Sequence, residues 1–270
     1  MKSTTMTSSA TMGLALLMLV TGQAAAEEDM PVAPGSGMHG SIGIGVGARP
    51  EYEGAKDRKM RLTPNINLFY GDTFFLTGMK AGANLLRYQT GHGVAITAGP
   101  LLAFRGGREQ DDHAALNGLG DIDRAIDAGG FVRFRKQGWQ ASVDVRQNLT
   151  STDQGATVNF TAGHGMRVSE KLRLRTSLDT TWASSAYMKT FFGIDATQSA
   201  NTGIAQYAAG SGFQHVGASL MADYSINREW AGFATLRYKR LLGDAADSPI
   251  VANLGARDQV SANIGIKYRF

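Results

Sequence analysis

The chain of 270 residues contains no cysteine. A disulfide framework, a thiolate metal centre and lipid attachment through a cysteine are therefore excluded. Proline is scarce, at six residues, whereas glycine reaches 34. After the N-terminus no apolar run approaches the roughly 18 residues that a membrane-crossing helix requires. Basic residues exceed acidic ones only mildly, 27 against 23, and they are not gathered into the stripe that a nucleic-acid binder presents. Also missing are a Gly-x-Ser-x-Gly elbow, a His-Glu-x-x-His helix and an Asp-x-Asp-x-Asp-Gly calcium loop.

What is present begins with an export signal. Lys2 supplies one positive charge, Met12 to Val20 is a short apolar run, and Ala24-Ala25-Ala26 offers small residues for cleavage. The pattern predicts a signal peptide over 1–26, a periplasmic leader over 27–39 and one large domain over 40–270. Alternation with a period of two dominates that domain. Leu172, Leu174, Leu178 and Trp182 alternate with Arg173, Arg175, Ser177, Asp179 and Thr181. The chain ends on the same pattern: Val260, Ala262, Ile264, Ile266, Tyr268 and Phe270 oppose Ser261, Asn263, Gly265, Lys267 and Arg269.

Segments of this kind are expected near 40–48, 61–70, 73–79, 82–89, 92–104, 128–136, 138–147, 156–167, 171–183, 212–225, 229–241 and 258–270. Connections on one side are short: Gly71-Asp72, Thr90-Gly91, Gln137, Val168 to Glu170 and Ile226 to Arg228. Most on the other side are long, the longest being Arg105 to Asp127 and Ser184 to Ser211. A tight join at Lys80-Ala81 separates two of the segments. Short turns facing long loops are the asymmetry of an up-and-down transmembrane β-barrel in the outer membrane. The pattern gives twelve strands, with ten as the other even count. Ending the chain on Tyr268 and Phe270 resembles the C-terminal assembly signal of such barrels.

Charge on a lipid-facing wall is costly, so the rows containing Arg133, Arg135, Arg146, Arg173, Arg175, Arg237, Lys239, Lys267 and Arg269 are expected to line the lumen. They share it with Asp144, Asp179 and Asp223, so the lumen is read either as an anion-favouring pore or as one closed by Arg–Asp pairs. Tyr70, Trp139, Trp182, Tyr224, Trp230 and Tyr238 suit interfacial girdles. The acidic stretch Glu109 to His113, with Asp121, Asp123 and Asp127, reads as a solvated loop rather than a cation site. His92, His113, His164 and His215 lack a nucleophile at a recognisable spacing, so no catalytic residue, cofactor or metal is expected.

Two stretches carry a more specific likeness. One runs from Pro50-Glu51-Tyr52-Glu53-Gly54 through Arg61-Leu62-Thr63-Pro64-Asn65 to Leu76. The other is Tyr238 to Leu242 followed by Gly243-Asp244-Ala245-Ala246-Asp247-Ser248-Pro249-Ile250-Val251, then the terminal Tyr268-Arg269-Phe270. They resemble the MltA-interacting protein (MipA)/OmpV family of Gram-negative outer-membrane proteins, over nearly the whole chain after the signal. The resemblance implies an outer-membrane location, surrounding lipid and lipopolysaccharide, and assembly by the barrel-assembly machinery. It also implies a scaffold joining a murein lytic transglycosylase to a penicillin-binding synthase, with no catalytic residues to transfer. By strand parity the Gly243 to Pro249 motif falls in an outer loop, beyond a periplasmic enzyme's reach. Lumen or loop closure is the role left for it. A small-solute channel and a surface adhesin are the other two functions the pattern supports.

Overall fold

The computed structural model describes residues 37–150 and 154–270. The expected signal peptide and all but the last residues of the leader lie outside the described residues. The alternating segments become β1 (Met38–Pro50), β2 (Arg58–Tyr70), β3 (Phe74–Thr77), β4 (Lys80–Ala83), β5 (Leu86–Gln89), β6 (Ala95–Arg105) and β7 (Ala125–Lys136). They continue as β8 (Trp139–Asn148), β9 (Ala156–Arg167), β10 (Leu172–Ala183), β11 (Gly212–Ser225), β12 (Trp230–Leu241) and β13 (Asp258–Arg269). Every pairing is antiparallel; all but β4–β6 and the closing pair join neighbours in the chain, and β1 closes on β13 from Ser41↔Arg269 to Ala48↔Ala262.

Both β4 and β5 pair with β6, so they are two halves of one strand and the sheet closes as a twelve-stranded barrel. Their break lies at Asn84-Leu85, close to Pro100 of β6, which has no N–H to give to the ladder. The hairpin turn preceding β4 is Gly78-Met79, not Lys80-Ala81, and Gly78 has a φ of 58°. That left-handed backbone is accessible to glycine and strained for lysine or alanine, which fixes the turn two residues earlier than alternation alone suggests.

Long strands of 10 to 14 residues match what a tilted strand needs to cross a bilayer. Their outward faces expose Ile42, Ile44, Val46, Leu178, Leu220, Leu236 and Ile264. On an ordinary soluble protein this much exposed apolar wall would aggregate, and in lipid it is the favourable surface. Tyr70, Trp139, Tyr224 and Trp230 sit at the short-turn end, where the Trp230 ring meets Tyr268 at 5.2 Å.

The larger buried core lies at one end of the barrel, while a smaller one, Phe75, Leu101 and Phe131 with Phe69 against them, sits on the inner wall. Tyr52, Ala55, Leu116, Leu119, Met188, Phe192, Ile194, Ala209, Ala245, Ala246, Ile250 and Val251 cluster with Ala183 and Leu241, the last inward residues of β10 and β12. Four loops contribute: 51–57, 106–124, 184–211 and 242–257. They carry α1 (Ser185–Phe192), α2 (Ala196–Thr202), α3 (Gly243–Asp247) and α4 (Pro249–Ala252). The long loops therefore fold over the mouth of the barrel and build a hydrophobic cap there.

Candidate functional site: the loop cap and the charged lumen beneath it

Short helices need anchors, because a few turns cannot hold themselves together in water. The N-cap hydroxyl of Ser184 accepts from Tyr187 N at the start of α1, and Asp195 forms a reciprocal capping box with Gln198 on α2. Cross-links between loops complete the cap. Ser248 is fully buried, and its Oγ donates to Phe192 O at 2.6 Å. Tyr207 Oη donates to Asp244 O at 3.0 Å, and the Asp244 carboxylate accepts from Gly210 N at 2.5 Å. Gln198 Nε2 reaches Leu119 O at 2.7 Å, and Gln259 Nε2 reaches Ala55 O at 3.0 Å.

Each residue of Gly243 to Pro249 is accounted for in this way. Gly243 takes a φ of 48°, Ala245 and Ala246 are buried, Asp247 meets Arg257 at 2.8 Å, and Pro249 opens α4. The other motif stretch meets it: Tyr52 is buried in the cap, and Ala256 N donates to Gly54 O at 2.7 Å. Both segments that stand out in the sequence are thus components of one closure.

A charged network ties the cap to the barrel wall. Glu53 bonds to Lys239 of β12. A β-bulge at Thr181/Trp182 turns both Gln214 and His215 of β11 inward, where each is buried. His215 Nε2 meets Asp179 at 2.9 Å and its Nδ1 meets Gln214 Oε1 at 3.2 Å, so both ring nitrogens are engaged. Asp179 also accepts from Arg237 at 2.6 Å, reaching across β11 at Gly217, where a Cβ would come 2.9 Å from its carboxylate. Burial alone would push the Glu53 carboxyl up, but the Lys239 ammonium, with His215 and Gln214, outweighs it and holds the group below its ordinary value.

The other inward rows follow the same logic. Lys80 meets Asp144 at 2.5 Å, Arg105 meets the buried Asp127 at 2.9 Å, and Lys267 bonds to Asp223. Arg133 lies over the rings of Phe131 and Phe75 at 5.0 and 5.5 Å. Arg269 donates to Ser225 Oγ at 3.1 Å. Arg135, Arg173 and Arg175 are exposed toward the short-turn end of the same inward rows. Arg146 borders a cavity of about 370 Å³ beneath the cap, shared with Arg105, Arg108, Asp127, Tyr187 and Gln214. Burial pushes the Arg108 guanidinium below, and the Tyr187 hydroxyl above, their ordinary values.

The acidic loop is occupied with its own neighbours. Asp121 accepts from Gln110 N at 2.8 Å, Asp112 lies 3.7 Å from Lys59 and Arg61, and Glu109 lies 3.9 Å from Arg124. Among the described residues no three His, Asp or Glu side chains gather as metal ligands. His113 points its Nε2 to Asp57 at 3.1 Å and accepts from Ala115 N, so it binds the loops to each other. Sequence reasoning did not find Arg105, Arg108 or Asp127 as lumen residues, because they sit at strand ends and in a loop where alternation stops.

The MltA-interacting proteins of Escherichia coli (strain K12) and Shigella flexneri are each 24% identical to this chain over 217 residues, covering 78% of it and 83% of the relative. Among solved structures, a KdgM porin aligns with a TM-score of 0.42 and 10% identity, over 86% of this chain and 99% of the porin. OmpT, an outer-membrane protein of Vibrio cholerae, aligns with a TM-score of 0.39 and 7% identity, over 88% and 99%. The family described as MltA-interacting protein MipA matches residues 42–270, nearly the whole of the barrel, and the chain belongs to that family.

Proposed function

We propose that this chain is a non-catalytic outer-membrane barrel that holds a murein lytic transglycosylase at its short-turn end. In this reading the short turns and the chain end at Phe270 face the periplasm, and the capped loops face outward. One observation carries it: four long loops are used up in a shared hydrophobic core, which leaves the short-turn end as the accessible surface. The exposed Arg135, Arg173 and Arg175 give that end a cationic interior rim. The name of the two relatives, MltA-interacting protein, supports an enzyme partner of this kind. A penicillin-binding synthase as a second partner follows from the family resemblance.

The test is retention of a purified lytic transglycosylase by the folded barrel at physiological salt, with the short-turn end presented. Retention that falls on charge reversal at Arg173 and Arg175 is the expected result; no retention by the native barrel would overturn the reading.

A second reading, passage of small anions, is favoured by the inward cations. It requires the cap to open, since Tyr52, Phe192 and Ile250 lie buried over the mouth. An adhesive role for the loop 184–211 is less well supported, because Met188, Phe192 and Ile194 of that loop are committed to the cap.

A further inference from the structure

The barrel wall is incomplete on one side. The β3–β4 hairpin turns at Gly78-Met79, so β2 pairs with β3 only from Asn67 to Tyr70. Ile66 O accepts from Gly78 N at 2.7 Å, and above it no described strand pairs with Arg58–Asn65 on that side. Backbone groups left open within lipid are expensive, so this stretch must meet water or a polar ligand. Pro64 stands in it, at an edge position where a missing N–H costs nothing.

The cavity beneath the cap borders the β6 side of this gap: Phe104 and Arg105 line it, as does Asp112, which lies 3.7 Å from Lys59 and Arg61 of β2. It is lined by lumen residues such as Asp127, Arg146 and Thr157, and also by Phe104, which lies on the outward, exposed face of β6. With residues from both faces of β6 in its lining, the cavity reaches the wall beside this gap. Outside the notch, Met60, Leu62 and Leu102 are 63%, 72% and 51% exposed, an apolar rim. Inside, the acidic groups have cations of their own: Asp127 has Arg105, Glu53 has Lys239, and Asp112 lies near Lys59 and Arg61. Glu51 lies 3.9 Å from His113. Arg108 and Arg146 have no ion-pair partner among the described residues, and the Nε of each is buried without a hydrogen bond. Arg108 is 8% exposed, and its side chain gives one bond, to Phe191 O at 3.2 Å.

We propose that the gap between β2 and β6 is a lateral portal through which a phosphorylated membrane glycolipid places its anionic headgroup on Arg108 and Arg146, with its acyl chains over Phe104, Met60 and Leu62. Guanidinium pairs suit phosphate because their planar donors bond to two oxygens at once. The apolar rim distinguishes a lipid from free phosphate. The site lies at the loop end, so it is independent of whether an enzyme docks on the turns.

The test uses the full-length barrel in neutral detergent with three probes: lipid A, inorganic phosphate and an uncharged diacylglycerol. Lipid A is expected to bind at least about tenfold more tightly than either of the others, and R108Q/R146Q to lose about tenfold or more of that affinity. Leu62→Lys is expected to weaken lipid A and leave phosphate unchanged. Equal binding of lipid A by wild type and R108Q/R146Q overturns the proposal, as does phosphate binding as tight as lipid A. Should R108Q/R146Q fail to fold, a photo-crosslinking phenylalanine analogue at Phe104 gives a second measurement in native membranes. Capture of lipid A there, and not from the same analogue at Phe160, supports the portal; equal capture at both sites overturns it.

Discussion

Gly54 and Val251 touch across the cap. A Cβ on Gly54 would lie 2.5 Å from Val251 Cγ2, and Gly54 holds a φ of 99° that a side chain resists. The two residues belong to loops 197 positions apart, and their contact is where the two distinctive segments of the chain meet.

Gly54→Val therefore combines backbone strain with overpacking. The expected cost to the cap is about 2–4 kcal/mol. Limited proteolysis should then cut within 184–211 and 242–257, while heat-modifiable electrophoretic mobility still reports a folded barrel. Loops as resistant as in the wild type would show that the contact is unimportant.

Ser248→Ala removes a buried hydroxyl and leaves Phe192 O without its partner. A loss of about 1–3 kcal/mol in cap stability is expected, measured as the denaturant midpoint for loop exposure. Asp247→Asn, at the exposed ion pair with Arg257, should cost less than about 1 kcal/mol. An inverted order would contradict the burial seen here.

Acid should loosen the cap through Glu53. Its folded carboxyl is held below the ordinary 4.5, because Lys239, His215 and Gln214 outweigh the opposing effect of burial. A group lowered on folding contributes stability above its unfolded value and loses it as pH falls through the folded one. Loop proteolysis is thus expected to rise as pH drops below about 4.5, and Glu53→Gln to flatten that response. An unchanged acid response in Glu53→Gln would assign it to another group.

Conductance separates a capped barrel from an open one. Native protein in a planar bilayer is expected to conduct weakly, and Gly54→Val to conduct more and to favour anions, given the inward Arg133, Arg146 and Arg237. A large, steady native conductance would mean that the cap does not block the mouth.

Much of the barrel was legible in the sequence, because one lipid face and one interior face impose a strict alternation. The terminal strand was recognisable as one of the barrel's strands, whereas its register on β1, Ser41 against Arg269, was not. The hairpin at Gly78-Met79 was misplaced by two residues, since the alternation continues through it and only the φ of Gly78 marks the turn. The cap was not legible as a structure. Tyr52, Leu116, Phe192 and Ile250 show no common period, and they come together only once the barrel has brought four loops to one rim. Closure was open to inference for Gly243 to Pro249 from strand parity, but the bond from Ser248 to Phe192 was not. The ion pairs were half visible: their charges lay in the inward rows, while partners such as Asp179 and Arg237 face each other across an intervening strand.

The most direct test of the proposed role is capture of a murein lytic transglycosylase by the folded barrel in nanodiscs. The account predicts retention by the native barrel and by Gly54→Val, and loss with R173E/R175E at the short-turn end. No retention by the native barrel, or retention that depends on the cap and ignores the turn end, would contradict it.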